Sequence, residues 1–261
     1  MLRARVWTAV VVLPAVLAAV IFLPNRDFSI FITVVGLWGL YEIAAMTPNL
    51  DVTGILAIVF GGLAPLLALL FYGDIGWILP AGVILDMLVL VVTVGIRGAQ
   101  NVPTGTRRTM QGALWVGVLF QYLAFLRNLA DGISALVVML LVVIASDTGA
   151  YFGGRAFGSH KLAPRVSPHK TIEGAIAGLA ASIATGLILR PWLMSQWSIG
   201  ASALISGIIA ILAQAGDLAG SAFKRVAGVK DSGWIFPGHG GLLDRTCSLV
   251  FAAVFTYYCF R

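Results

Sequence analysis

An all-α, polytopic membrane protein with about nine transmembrane helices and a cytoplasmic N-terminus is the fold this sequence predicts. Three observations carry that expectation. Mean hydropathy is +0.97, and charged residues make up only 11% of the 261-residue chain, against about 25% in a soluble domain. The apolar runs are continuous and roughly 16–22 residues long, enough to cross a bilayer as a helix, whereas an outer-membrane barrel needs short alternating strands. The basic residues also crowd into alternate connections. Cys247 and Cys259 are too few for a disulfide framework. The net charge of +6 is no nucleic-acid signal, because no polar basic domain carries it and loop bias accounts for it.

The spans follow in order. Residues 6–23 come after Arg3 and Arg5 and read as an uncleaved anchor, since no exported polar domain follows. Residues 28–46 hold Glu42 near one end, where an interfacial charge is expected. Residues 52–72 and 75–96 form the next pair, and Asp86 sits mid-span as either a functional or an internally paired carboxylate. The run 111–126 is short and carries Gln121. Residues 132–151 end near Asp147. Residues 171–189 contain Gly174 and Gly178, a small-xxx-small pair suited to helix packing. Residues 198–216 lead to Asp217, and 243–260 begin at Asp244.

With the N-terminus inside, the inner segments hold Arg3, Arg5, Arg97, Arg107, Arg108, Arg155, Lys161, Arg165, Lys170, Lys224, Arg225, Lys230 and Arg245. Only Arg26, Arg127, Arg190 and Arg261 of the 17 basic residues fall outside, as the positive-inside rule requires. Two inner loops, 152–170 and 217–242, stand out by length and polarity. Asp147, Asp217, Asp231 and Asp244 fall at that same face. Carboxylates near hydrocarbon need pairing, water or a metal. Beside so many Lys, Arg and Gly residues they suit a metal–phosphate substrate, since magnesium takes carboxylates, waters and phosphates and Arg and Lys take phosphate oxygens. Snorkelling interfacial charges that pair with one another are the alternative for any one of them.

Common nucleotide and hydrolase motifs are absent. Gly153 and Gly158 precede Ser159-His160-Lys161, which breaks the phosphate-loop pattern. There is no GxGxxG after a strand, no HExxH and no Gly-x-Ser-x-Gly. His160, His169 and His239 lack zinc-site spacing.

The stretch SAFKRVAGVKDSGWIFPGHGGLLDR, from Ser221 to Arg245, resembles the signature of the phosphatidate cytidylyltransferases, or CDP-diacylglycerol synthases. Ser221, Lys224, Arg225, Lys230, Asp231, Pro237, His239, Gly240, Gly241, Asp244 and Arg245 all match at the family's spacing. The block from Ser146 to Gly174 and the Gly216-Asp217-Leu218 that leads into the signature are similar too, so the resemblance covers about the C-terminal half. It implies residues 1–110 as N-terminal membrane helices and 111–261 as the catalytic membrane region. Two positions depart from the family. Cys247 stands where an Asp is usual, and Gly220 stands where a Glu is usual. A thiol is a poor magnesium ligand. Asp244 alone suffices, or Ser248 or water substitutes, or activity is reduced, or Cys247 is an introduced substitution.

The resemblance implies nucleotidyl transfer from CTP to phosphatidate, giving CDP-diacylglycerol and pyrophosphate, at the inner (cytoplasmic) membrane of the cell. It implies magnesium, as two divalent or mixed cations, with Asp217 and Asp244 as ligands and Asp147 as a third. Asp231 would bind metal or orient Lys230. Lys224, Arg225, Lys230 and Arg245 would hold phosphates, and Lys170 and Arg155 the triphosphate or lipid phosphate. Ser221, Gly240 and Gly241 would contact substrate, and His239 would position rather than act as a base. Partners are CTP, phosphatidate and the bilayer, not nucleic acid, and a homodimer is left open. Rival readings are a catalytically weak paralogue, an anionic-lipid transporter and a CTP-using lipid kinase; a transporter would show paired repeats and midplane sites, which this sequence lacks.

Overall fold

The computed structural model describes residues 2–47, 54–59, 61–63, 112–164, 166–229, 231–233 and 240–261. The expected span 75–96 with Asp86, most of 52–72, and Lys230, Pro237 and His239 lie outside the described residues.

The described chain is mostly helix. α1 (Leu2–Phe22) and α2 (Asn25–Ala45) are joined at Pro24, with Asp27 in the first turn of α2, where a carboxylate meets the positive end of the helix dipole. An irregular helix then runs through a π turn (Leu114–Val118) and a 3-10 turn (Leu119–Gln121) into α3 (Tyr122–Arg127). The break falls where Gly117 lies directly on the backbone of Gly61, an approach that any side chain would block. α4 (Gly132–Phe157) follows. α5 (Ile172–Leu193) starts at Thr171, whose Oγ1 accepts a hydrogen bond from Gly174 N at 3.1 Å. α6 (Ile199–Val226) starts at Ser198, whose Oγ accepts from Ala201 N at 3.1 Å. α7 (Leu243–Phe260) closes the bundle. Four helices, 25–45, 132–157, 172–193 and 199–225, are long and apolar enough to cross a membrane.

Two expectations need correction. The fold is not purely helical: β1 (Lys161–Ala163) and β2 (Ser167–Thr171) pair antiparallel, with Lys161 opposite Thr171 and Ala163 opposite Ser167. Two prolines four residues apart, Pro164 and Pro168, disfavour a helix here, and the hairpin gives the backbone groups around them partners. The loops expected at 152–170 and 217–242 are shorter, because α4 continues to Phe157 and α6 to Val226. Helical hydrogen bonding does not stop where hydropathy falls. Lys and Arg are good helix formers, so α6 carries Asp217, Ser221 and Lys224 beyond its apolar part, on one helical face. Arg127, one of the basic residues read as lying in outer segments, is buried. It donates from Nε to Val20 O (2.8 Å), from Nη1 to Asn25 Oδ1 (2.6 Å) and from Nη2 to Leu23 O (3.1 Å). These bonds satisfy carbonyls at the end of α1 and fasten the α1–α2 corner to α3.

The core joins α1, α2, α3, α4, α6 and α7 through residues such as Ile32, Leu126, Met139, Ile209 and Ala253. α4 and α5 meet through small residues. A Cβ on Gly174 would lie 2.7 Å from Ala150 O, and one on Gly178 would lie 2.6 Å from Ser146 O and 3.0 Å from Gln214 Nε2. The pair therefore packs helices, as the sequence suggested. Gly178→Val should cost about 1–3 kcal/mol through overpacking and lower the unfolding temperature of the detergent-solubilised protein; an unchanged transition would mean that the helices can separate there freely.

Candidate functional site

Three chain segments meet at one end of the bundle: the C-terminal turns of α6, the N-terminus of α7 and the hairpin. Asp217, Ser221 and Lys224 project from α6, and Asp244 sits in the first turn of α7. They line one open pocket together with Gly220, Ser232 and Cys247. Its apolar wall comes from Ile43 and Met46 at the end of α2, from Trp115 and Val116 in the π turn, and from Phe223 and Leu243. The N-terminal half of the chain thus contributes to the site.

Each pocket carboxylate carries a lysine. Lys170 Nζ, from β2, lies 2.6 Å from Asp217 Oδ2, with both side chains partly exposed. Lys224 Nζ pairs with Asp244 Oδ1, and the Asp244 side chain is buried. Asp244 Oδ2 accepts from Ser232 N (2.9 Å) and Gly241 N (2.9 Å), and Ser232 Oγ, whose one proton is shared with Glu42 Oε2, lies 3.1 Å from it. Both oxygens of this carboxylate are therefore occupied and its direction is set.

Behind Asp244 lies a second carboxylate. Glu42, at the end of α2, is only 3% exposed. Oε1 accepts from Leu242 N at 2.8 Å and from Trp38 Nε1 at 3.3 Å; Oε2 accepts from Leu243 N at 3.0 Å and from Ser232 Oγ at 2.9 Å. α7 has no side-chain cap of its own at Leu242. Glu42 supplies that cap from another helix, where the helix dipole favours an anion. The expected interfacial charge at position 42 is instead a buried, four-donor acceptor. Its sequence signal was faint, one acid among apolar neighbours. Ser232, with its hydroxyl between the two carboxylates, gave no signal.

Gly240 and Gly241 serve this arrangement. Gly240 has φ +81° and leaves no room for a side chain beside Asp244 Oδ2. A Cβ on Gly241 would overlap Ser232 Oγ and Glu42 Oε2. Other expected site residues stand apart from the pocket. Asp147 on α4 and Asp231 are exposed. Arg155 is exposed and its Nη1 lies 3.4 Å from Tyr151 Oη. Arg225 Nε donates to Val166 O of the hairpin at 3.4 Å. Arg245 is on the first turn of α7.

The two departures from the family signature are neighbours. A Cβ on Gly220 would lie 2.5 Å from Cys247 Sγ and 2.8 Å from Cys247 Cβ. α6 and α7 therefore close on each other at this point, with glycine against thiol. For a metal, the donor set offers Asp217 and Asp244 on one pocket, and among the described residues no group of three or more His, Cys, Asp or Glu converges. Two carboxylates fit magnesium, which keeps waters and takes phosphate oxygens; the intervening thiol does not.

The chain matches the cytidylyltransferase family over residues 3–261. It is 34% identical over 250 residues to the phosphatidate cytidylyltransferase of Staphylococcus haemolyticus (strain JCSC1435), covering 92% of this chain and 94% of that protein. It is 35% identical over 259 residues to the phosphatidate cytidylyltransferase of Brucella suis biovar 1 (strain 1330), covering 98% and 92%.

Gly240→Ala should strain a left-handed position by about 1–2 kcal/mol and push a methyl toward Asp244. The expected result is a lower unfolding temperature together with reduced turnover, measured on the same purified sample. Wild-type values of both would show that the turn tolerates a side chain.

Proposed function

The chain belongs to the cytidylyltransferase family and is a CTP-dependent nucleotidyltransferase that makes CDP-diacylglycerol, and we propose that it does so by metal-assisted transfer in the pocket between α6 and α7. The observation that carries this reading is the convergence of Asp217, Asp244 and Lys224 on one pocket with an apolar wall, with Lys170 paired to Asp217 beside it.

Both substrates are anions, so like charges must be brought together. An oxygen of the lipid phosphate attacks the α-phosphorus of CTP; the bond to the β-phosphate breaks and pyrophosphate leaves. An ionised phosphate oxygen needs no strong base, so positioning and charge neutralisation carry the catalysis. Asp217 and Asp244 are the carboxylates that would hold magnesium, which when bound neutralises phosphate charge and orients the reacting oxygens. Lys170 and Lys224 sit on those carboxylates in the free protein and can pass to phosphate oxygens as substrate enters, so their charge is balanced in both states. Arg225, Lys230 and Arg245 are carried into the proposal as phosphate ligands by the family signature. Asp231 and His239 belong to the wider proposal through the signature, and Asp147 and Arg155 through the similar block from Ser146 to Gly174.

The chain is a helical multi-pass membrane protein. We place the pocket end at the cytoplasmic face of the inner membrane, within a nine-span topology, because the basic residues gather there and CTP is cytosolic. The lipid then enters sideways, with its acyl chains along the wall formed by Ile43, Met46, Trp115 and Val116.

The deciding experiment is CDP-diacylglycerol formation by the purified protein from phosphatidate and labelled CTP, with and without magnesium. Magnesium-dependent product is expected; no product from folded protein would favour a weak paralogue. Asp244→Ala should abolish turnover and leave the protein folded, and retained turnover would remove its metal role. Cys247→Asp adds a carboxylate one turn from Asp244 and should lower the magnesium concentration needed for half-maximal rate. If rate and magnesium dependence both stay unchanged, the position is dispensable.

A further inference from the structure

We propose that Glu42 is a positioning residue for the transfer reaction, acting through Ser232 and the N-terminus of α7 to aim the Asp244 carboxylate into the pocket. The proposal rests on the reading of Asp244 as a site residue.

Four donors converge on Glu42 from three places. Leu242 N and Leu243 N belong to the start of α7, Ser232 Oγ to the loop after α6, and Trp38 Nε1 to α2 itself. A carboxylate at 3% exposure is costly unless its lone pairs are filled, and here they are filled by the segments that carry the site. Ser232 has one hydroxyl proton and stands 2.9 Å from Glu42 Oε2 and 3.1 Å from Asp244 Oδ2. Its backbone N–H donates to Asp244 Oδ2 as well. One residue is thus held by both carboxylates, and a shift of Glu42 moves the group that orients Asp244.

The same arrangement shapes the pocket. Ile43 and Met46, the next residue and the residue one turn beyond Glu42 on α2, line the pocket opposite Asp244. Leu40 and Ile43 pack in one apolar cluster with Leu243. Gly241 lies so close to Ser232 Oγ and Glu42 Oε2 that no side chain fits between them. The end of α2, the loop at 231–233 and the turn at 240–243 therefore form one unit centred on Glu42. A purely structural cap would hold α7 without touching the hydroxyl beside the reacting groups.

The test uses the full-length purified protein with Glu42→Gln, Ser232→Ala and the double variant. Gln keeps the size of the side chain and loses the charge and one acceptor oxygen. Each single change should lower kcat by about ten- to a hundredfold while KM for phosphatidate stays near the wild-type value. The double variant should lose little more than the worse single one, because both act along one path. Glu42→Gln should also speed hydrogen exchange at the amides of Leu242 and Leu243. If the two losses simply multiply, or if kcat per folded molecule stays at the wild-type value while the unfolding temperature falls, Glu42 is structural only and the proposal fails. Asp244→Ala with wild-type turnover would instead remove the reading of Asp244, a separate result.

Discussion

The buried carboxylate of Glu42 against the N-terminus of α7 is the interaction on which the site end of the molecule depends. A helix that begins buried in the protein has amide groups that solvent does not satisfy. α7 begins at Leu243, behind Leu242, and neither leucine can cap it. Glu42 answers that need from α2. Once it does, the start of α7 is located relative to α2, and the direction of Asp244 one residue further on follows. The glycines at 240 and 241 are the corollary, since the chain must pass between two carboxylates and a serine hydroxyl without a side chain of its own.

The charges in front of this support form two ion pairs. Asp217 pairs with Lys170 and Asp244 with Lys224, so the pocket is close to neutral before an anionic substrate arrives. The two pairs differ in kind. Lys170–Asp217 joins the hairpin to α6 across partly exposed side chains, where an ion pair contributes little net stability and can be given up cheaply. Lys224–Asp244 is more buried and is backed by backbone amides. The hairpin has a second anchor besides this pair, because Glu173 at the base of α5 accepts from Ser159 N (3.1 Å) and His160 N (3.1 Å) and contacts His160 Nδ1 (2.6 Å).

Gly220 and Cys247 read in the sequence as two separate losses of an acid. In space they are one feature, a close crossing of α6 and α7. The same crossing brings Gly216 against Cys247 O. Its tightness favours small residues on α6, and it leaves Asp217 and Asp244, on either side of the crossing, as the carboxylates of the pocket.

Hydropathy alone determined that this chain is a bundle of apolar helices, because helices are the way an open chain satisfies its backbone in lipid. The signature spacing brought Asp217, Lys224 and Asp244 forward, because residues that bind phosphate and metal are few and chemically distinct in so apolar a chain. Gly174 and Gly178 were legible as packing residues for a similar reason. Helix ends were not legible: α6 carries charged residues for several turns past its apolar part, since hydrogen bonding along the backbone, not hydropathy, sets where a helix stops. Nor was Glu42. Its meaning depends on partners about 190 to 200 residues away, and a lone acid in an apolar run looks the same whether it meets water or a helix end. Only the tertiary structure decides that, because capping, pairing and close approach belong to the space between helices and not to any one of them.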